Sequence, residues 1–273
     1  MNENNKEFLS DQIIAKALAF GASLAGIANV EELKKSPSHL ISKQITEYGG
    51  VGTRNVEGKK SGEVQWPENA KSAVVIAVEH PLGAPDMDWW VKGLTGGTKG
   101  NAQLMAVFSK LADWLETEKK IPYIKLAYHI EHGGVYMKDA AVLAGFGCIG
   151  KSNMVVTPEY GSRIRLRVML LDEDLPSTGI LGFDPCKDCK EYCLKACPQK
   201  AFDKKIYSAK EYGQDELPGR TGVYNRSQCN IEMEKNSTDG KDVEIKGTDK
   251  IGREVRFCRR CELVCPVGRP ESA

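Results

Sequence analysis

The sequence predicts an α+β protein in two parts, an α/β part over residues 1–178 and a cysteine-rich part over residues 179–273. Three observations predict it. Helical and strand-like apolar patterns alternate through the first part, a segment rich in proline and glycine (176–185) interrupts them, and eight of the nine cysteines follow residue 185. At 273 residues, 41% hydrophobic and 27% charged, the chain has ordinary globular composition, enough to bury a core and unlike disordered or collagen-like chains.

Each element has its own signal. Leu9, Ile13, Ala17 and Phe20 recur at helical spacing and Gly21 offers a stop, after which Leu24 to Ile27 reads as a short strand. Ser72 to Val78 is an unbroken apolar run with β-branched residues, the pattern of a strand covered on both faces. Leu104, Phe108, Leu111 and Leu115 mark a second helix, and a strand is expected near Tyr123–Tyr128. Tyr136, Ala140, Leu143 and Ala144 mark a third helix with Gly145 as its cap. Asn153 to Val156 is strand-like. In Arg163 to Leu171, Ile164, Leu166, Val168 and Leu170 alternate with Arg163, Arg165 and Arg167, giving an apolar face and a basic one. That basic row faces either water or an anionic ligand. Residues 236–256 are polar and suit a surface loop or small hairpin.

Charge and hydropathy narrow the function classes. With 38 Lys+Arg against 37 Asp+Glu the formal net charge is +1, so binding to nucleic acid by phosphate neutralisation is not expected. No apolar run approaches the roughly 20 residues that span a bilayer, and the start of the chain lacks an export signal. No membrane contact and a cytoplasmic location are therefore expected.

The cysteines carry the chemistry. The first group is Cys186, Cys189, Cys193 and Cys197, followed by Pro198; the second is Cys258, Cys261 and Cys265, followed by Pro266. In a reducing compartment such clustering reads as metal ligation before disulfides. Short spacing on a loop aims several sulfurs at one metal–sulfide cube, and a proline after the last cysteine sends that residue to the neighbouring cluster. Two cubes need eight ligands; the groups supply seven, and Cys229 is the eighth. The expected sets are Cys186, Cys189, Cys193 and Cys265 for one 4Fe–4S cluster, and Cys197, Cys229, Cys258 and Cys261 for the other. A pair of zinc sites is the alternative. Against it stand both Cys-Pro endings and four cysteines within twelve residues. Cys148 reads as a small buried residue outside the sets.

Gly145 to Ser152 (GFGCIGKS) matches the phosphate-loop pattern letter for letter. That chemistry needs a strand before the loop and a helix after it. Here a helix precedes and a strand follows, so a nucleotide is not expected, although the glycines still allow backbone N–H groups to approach a ligand closely.

These residues resemble a family. Lys138 to Leu175, with AGFGCIGK ending at Lys151 and Pro158-Glu159-Tyr160-Gly161-Ser162-Arg163, is similar to the core of the epoxyqueuosine reductases, cobalamin-dependent iron–sulfur enzymes of queuosine tRNA modification. Thr157 to Gly161 also resembles the reductive dehalogenases. The order of the cysteine groups agrees, with Cys229 in Arg226-Ser227-Gln228-Cys229 between them. The resemblance implies a nitroreductase-like α/β domain that binds cobalamin, followed by a ferredoxin-like two-cluster domain. It implies Glu131 at the family's catalytic aspartate position, with Tyr128, Tyr136 and Tyr160 as alternative proton donors. Gly147, Gly150, Lys151, Ser152, Arg163 and Arg165 are then the expected cofactor contacts.

The sequence ends eight residues after Cys265, short of the helical-repeat extension of long family members. With the near-zero charge, the expected substrate is a small molecule rather than tRNA, and the expected partner a low-potential electron donor. The expected function is an iron–sulfur oxidoreductase passing electrons through both clusters to a corrinoid. The alternatives are an electron-transfer or corrinoid-handling protein without substrate chemistry, and a zinc-stabilised binding module. Substrate and oligomeric state are not legible in the residues.

Overall fold

The computed structural model describes residues 2–45, 62–245 and 247–269. In chain order the elements are α1 (Glu3–Ala19), β1 (Leu24–Asn29), α2 (Val30–Lys34), α3 (Pro37–Ile41), β2 (Ser72–Glu79), β3 (Trp90–Val91) and α4 (Lys99–Trp114). Then come β4 (Tyr123–Ile124), α5 (Met137–Leu143), β5 (Cys148–Ile149), β6 (Val155–Val156) and β7 (Ile164–Leu171). The cysteine-rich part holds α6 (Tyr192–Lys195), α7 (Ala209–Tyr212), α8 (Arg226–Thr238), β8 (Lys241–Glu244), β9 (Ile251–Val255) and α9 (Arg260–Leu263).

The framework is a four-stranded sheet in the order β1-β2-β7-β4. Every pairing is antiparallel, with Val75 opposite Val168 in the central pair and Gly26 opposite Val75 at the flank. The run Ser72 to Val78 is buried along its whole length. Its alternate residues divide between two cores: Val74, Ile76 and Val78 pack with Leu9, Ile13, Leu104 and Leu111 from α1 and α4. Ala73, Val75 and Ala77 pack with Leu33, Ala140, Ala141 and Ala144 from α2 and α5. An antiparallel sheet is usually wet on one face. This one is covered on both because helices α1 and α4 lie on one side, α2 and α5 on the other, and β2 is apolar from Ala73 to Val78.

The helices stop where glycine was expected to end them: Gly21 and Gly145 both have positive φ. The strand expected near Tyr123–Tyr128 is regular only at Tyr123–Ile124. The polar stretch 236–256 contains the hairpin β8–β9, and β9 also pairs with β3 from the first half of the chain. Residues 176–184 carry no regular secondary structure. Among the described residues no helix is long and apolar enough to cross a membrane.

Candidate metal centre and adjoining cavity

All nine cysteines are free thiols, and eight of them, all but Cys148, feel one another's charge in two groups of four. Cys193 is pushed up to about 11, first by burial and then by the neighbouring charges of Cys186, Cys265 and Cys189. Burial also raises Cys265, which feels Cys186 and Cys189. In the second four, burial followed by Cys229 and Cys258 pushes Cys261 up to about 12, while burial, Cys197 and Cys258 raise Cys229. Cys261 also feels Cys193, so the quartets are neighbours, and α6 packs against α9 between them. Among the described residues no three His, Cys, Asp or Glu side chains converge closely enough to hold a single metal ion.

The donor chemistry around these sulfurs suits thiolates. Backbone N–H groups of Lys151, Leu194 and Val267 favour the charged forms of Cys186, Cys193 and Cys265, and the Ala201 N–H donates to Cys197 Sγ at 3.3 Å. N–H···S bonds of this kind are a general means by which proteins hold and tune inorganic clusters.

The phosphate-loop look-alike serves this site. It follows α5 and leads into the β5–β6 hairpin, the reverse of the nucleotide-binding order. A Cβ added at Gly150 would lie 3.1 Å from Cys186 Sγ and 2.8 Å from Val156 Cγ2. The missing side chain is what lets the sulfur sit against the loop. Gly150→Ala is therefore expected to cost about 1–3 kcal/mol through overpacking and to lower metal incorporation at the Cys186 quartet, read by denaturant unfolding and metal analysis. Lys151 pairs with Glu191 at 2.8 Å and feels Cys186 and Cys189. Ser152 is buried, and Gly147 lines a cavity of about 600 Å³ shared with Cys148, Asp139 and Leu181.

Cys148 is half-buried rather than buried as expected, and its S–H donates to Cys186. That bond draws Cys186 down to about 6 and pushes Cys148 up.

A second cavity, of about 440 Å³, opens between α5, β7 and the cysteine-rich part. Tyr128, Tyr136, Lys138, Ser162, Arg165 and Tyr224 are among its walls. Two wall residues touch the quartets: the Tyr224 hydroxyl donates to the Cys229 sulfur, and Ser162 lies beside Cys265. Tyr128 stands under the Arg167 guanidinium at 5.2 Å, and burial raises its phenol. Tyr136 caps α5, and its backbone N–H donates to His39 Nε2 at 3.2 Å. Burial holds His39 down to about 4, so its ring is neutral and the proton falls on Nδ1, facing Ser36 Oγ at 2.8 Å. Tyr160 packs on the α5 side of the sheet and is not among the residues that wall the cavity. Glu131 sits in the 3-10 turn Ile130–His132, and its side chain lies outside the described residues. Its neighbours His129 and Ile130 line the cavity.

The basic row, Arg163 with Arg165 and Arg167 of β7, is held by partners within the chain. Arg163 is fully buried and donates to the carbonyls of Val267 and Gly268, tying the last cysteine loop to the strand. Arg165 reaches the cavity wall but also pairs with Asp88 at 2.5 Å and Glu262 at 3.1 Å. Arg167 stacks over Phe108 and Tyr128.

Sequence reasoning missed Lys138 and Tyr224. Lys138 donates from Nζ to the Asn153 carbonyl at 2.6 Å, and burial pushes its ammonium down to about 8, with Asp139 opposing and Arg226 adding to the shift. A signal existed: a lysine in the first turn of a helix opposes the helix dipole. Tyr224 had only its nearness to Cys229 in the chain.

An α+β chain with two groups of cysteines reached from one cavity through Tyr224 and Ser162 is the class that fold and site define. No family model matches the chain. An epoxyqueuosine reductase of Bacillus cereus is 24% identical over 272 residues, 96% of this chain and 65% of that protein. One of Gloeobacter violaceus is 35% identical over 200 residues, 70% of this chain and 60% of that protein. Among solved structures, an epoxyqueuosine reductase with a tRNA-Tyr epoxyqueuosine-modified tRNA stem loop matches with a TM-score of 0.61 at 22% identity, over 96% of this chain and 65% of that one. A catabolic reductive dehalogenase in complex with 3-bromo-4-hydroxybenzoic acid matches with a TM-score of 0.61 at 16% identity, over 99% of this chain and 33% of that one. The chain is similar in sequence to the epoxyqueuosine reductases and shares its fold with them and with the reductive dehalogenase. It spans about 65% of the length of the first curated relatives it matches.

One expectation falls here. Nucleic acid was set aside as a partner on net charge, yet a relative of this fold is solved with a tRNA stem loop. The physical reason is that net charge averages over the whole chain, whereas phosphate is met by a local surface. Residues 186–212 carry seven lysines, every one exposed, against four acidic residues.

Proposed function

We propose that this chain is an iron–sulfur oxidoreductase that carries two 4Fe–4S clusters and a corrinoid and reduces an epoxyqueuosine-type group borne on tRNA. One observation carries the reading: a cavity whose wall residues touch thiols of both quartets, Tyr224 on Cys229 and Ser162 beside Cys265. The proposed ligands are Cys186, Cys189, Cys193 and Cys265 for one cluster and Cys197, Cys229, Cys258 and Cys261 for the other. The domain reading is a nitroreductase-like part over 1–178 and a ferredoxin-like part over 179–273, in the reducing cytoplasm. The two cavities, about 440 and 600 Å³, share Ser38, Ile41, Asn153 and Pro218 as walls, which together suits a large cofactor.

A bound corrinoid supplies the low-valent metal chemistry. The protein's own residues do the rest. Gly147, Gly150, Lys151 and Ser152 shape the loop under Cys186, and Arg165 presents a cation at the cavity wall. Removing an epoxide oxygen as water consumes electrons and protons in equal number, so a proton must be held at the cavity. Lys138 Nζ suits that role better than Tyr128, because a donor works best with a pKa near the operating pH. Burial brings Lys138 to about 8 and moves Tyr128 further up. Glu131, in the turn whose neighbours line the same cavity, is the second donor proposed.

The test is anaerobic purification with added hydroxocobalamin, followed by absorbance, iron and cobalt quantification, and assay on a tRNA stem loop carrying epoxyqueuosine. Cobalt at about one per chain with reduction of the epoxide is expected. Iron without cobalt, or no reduction, would move the chain to the electron-carrier reading, and zinc in place of iron would sink both.

A further inference from the structure

Between the sheet and the last cysteine group lies a closed set of buried ionisable side chains. His80, at 0% exposure, brings Nδ1 to 2.8 Å from Asp88 Oδ1. Arg165 Nη2 is 2.5 Å from the same oxygen and 3.1 Å from Glu262 Oε2. Arg259 closes the ring, pairing with Asp88 and with Glu262. The carboxylate side chains are only 9% and 4% exposed. Burial alone would raise Asp88, yet His80, Arg165 and Arg259 outweigh it and hold the carboxyl low.

Such a ring is poorly explained as a source of stability, because well-packed apolar residues could serve as well. What it fixes is geometry and local potential. Its members come from the end of β2, the turn before β3, β7 and the Cys258–Cys265 segment. Arg165 lines the cavity, Arg259 follows Cys258, and Glu262 follows Cys261.

We infer that Glu262 and Arg165 are positioning residues that seat the Cys258–Cys261 turn against the cavity wall and set the potential of the cluster held there. The inference rests on the cluster reading above. Glu262 places a negative charge beside the cluster and Arg165 compensates it from the cavity side. Removing the anion favours the more negative, reduced cluster, and removing the cation does the opposite.

The experiment is a redox titration of the reconstituted, full-length protein followed by electron paramagnetic resonance, with iron counted in each variant. Glu262→Gln is expected to raise the midpoint potential of one cluster and leave the other in place. Arg165→Met is expected to lower the potential of that same cluster. Glu262→Asp, which keeps the charge, is expected to stay near the parent and covers the case in which Glu262→Gln loses its cluster. Potentials that do not move, or that move in the same direction in both variants, would overturn the inference. A parent protein that binds no iron would instead remove the cluster reading, and this inference with it.

Discussion

Replacing Cys229 by serine is expected to remove one of two clusters, taking the chain from about eight irons to about four. Cys229 stands alone in the sequence, on the first turn of α8, more than thirty residues from Cys197 and almost thirty from Cys258. Only the fold brings it to them, so its loss leaves a quartet that no nearby cysteine can complete; Cys148, the one cysteine outside the sets, bonds to Cys186 at the other quartet. Iron and acid-labile sulfide analysis after anaerobic reconstitution, with resonance spectra of the reduced protein, checks the result. Cys148→Ser is the control and is expected to keep the full complement. Equal iron in Cys229→Ser and the parent would remove the eight-ligand assignment.

Lys138→Met is expected to lower turnover of the epoxyqueuosine stem loop by about 10²–10⁴-fold, the usual contribution of a positioned acid. The pH profile gives the sharper readout. Lys138 donates only when protonated and burial sets it at about 8, so parent activity falls as pH rises through that value. Lys138→Arg, which stays charged, is expected to lose that falling limb, a change that a purely structural role would not produce. Stability carries the same signature. Because the folded pKa lies below the ordinary lysine value of about 10.4, the unfolded chain binds more protons between the two. Stability is therefore expected to rise with pH across that window, fall back as pH drops toward 8, and lose this dependence in Lys138→Met, measured by urea unfolding at a series of pH values.

Much of the fold was legible because it rests on local pattern. The unbroken run Ser72 to Val78 had to be covered on both faces, and the structure divides its alternate residues between two cores. The helix-then-strand order read around GFGCIGKS is the order the structure has, with α5 before the loop and β5 and β6 after its start, since the order of elements is itself sequence information. The arginines of β7 show where such reading runs out. Alternation predicts which face Arg163, Arg165 and Arg167 share, but not that three different partners claim them: the last cysteine loop, a ring of buried carboxylates, and two aromatic rings. Lys138 and Tyr224 were missed for a related reason, because their roles come from a cavity that no segment forms alone.

By itself, the sequence determined the sulfur inventory, the strand and helix periodicities and the order of elements, all of which depend on neighbours within a few positions. Tertiary structure alone decided that Gly150 makes room for Cys186, that Tyr224 joins the cavity to Cys229, and that Glu262 meets Arg165 across 97 positions of chain. Contacts of that kind are settled by burial and charge compensation in three dimensions, where separation along the backbone carries no information about distance.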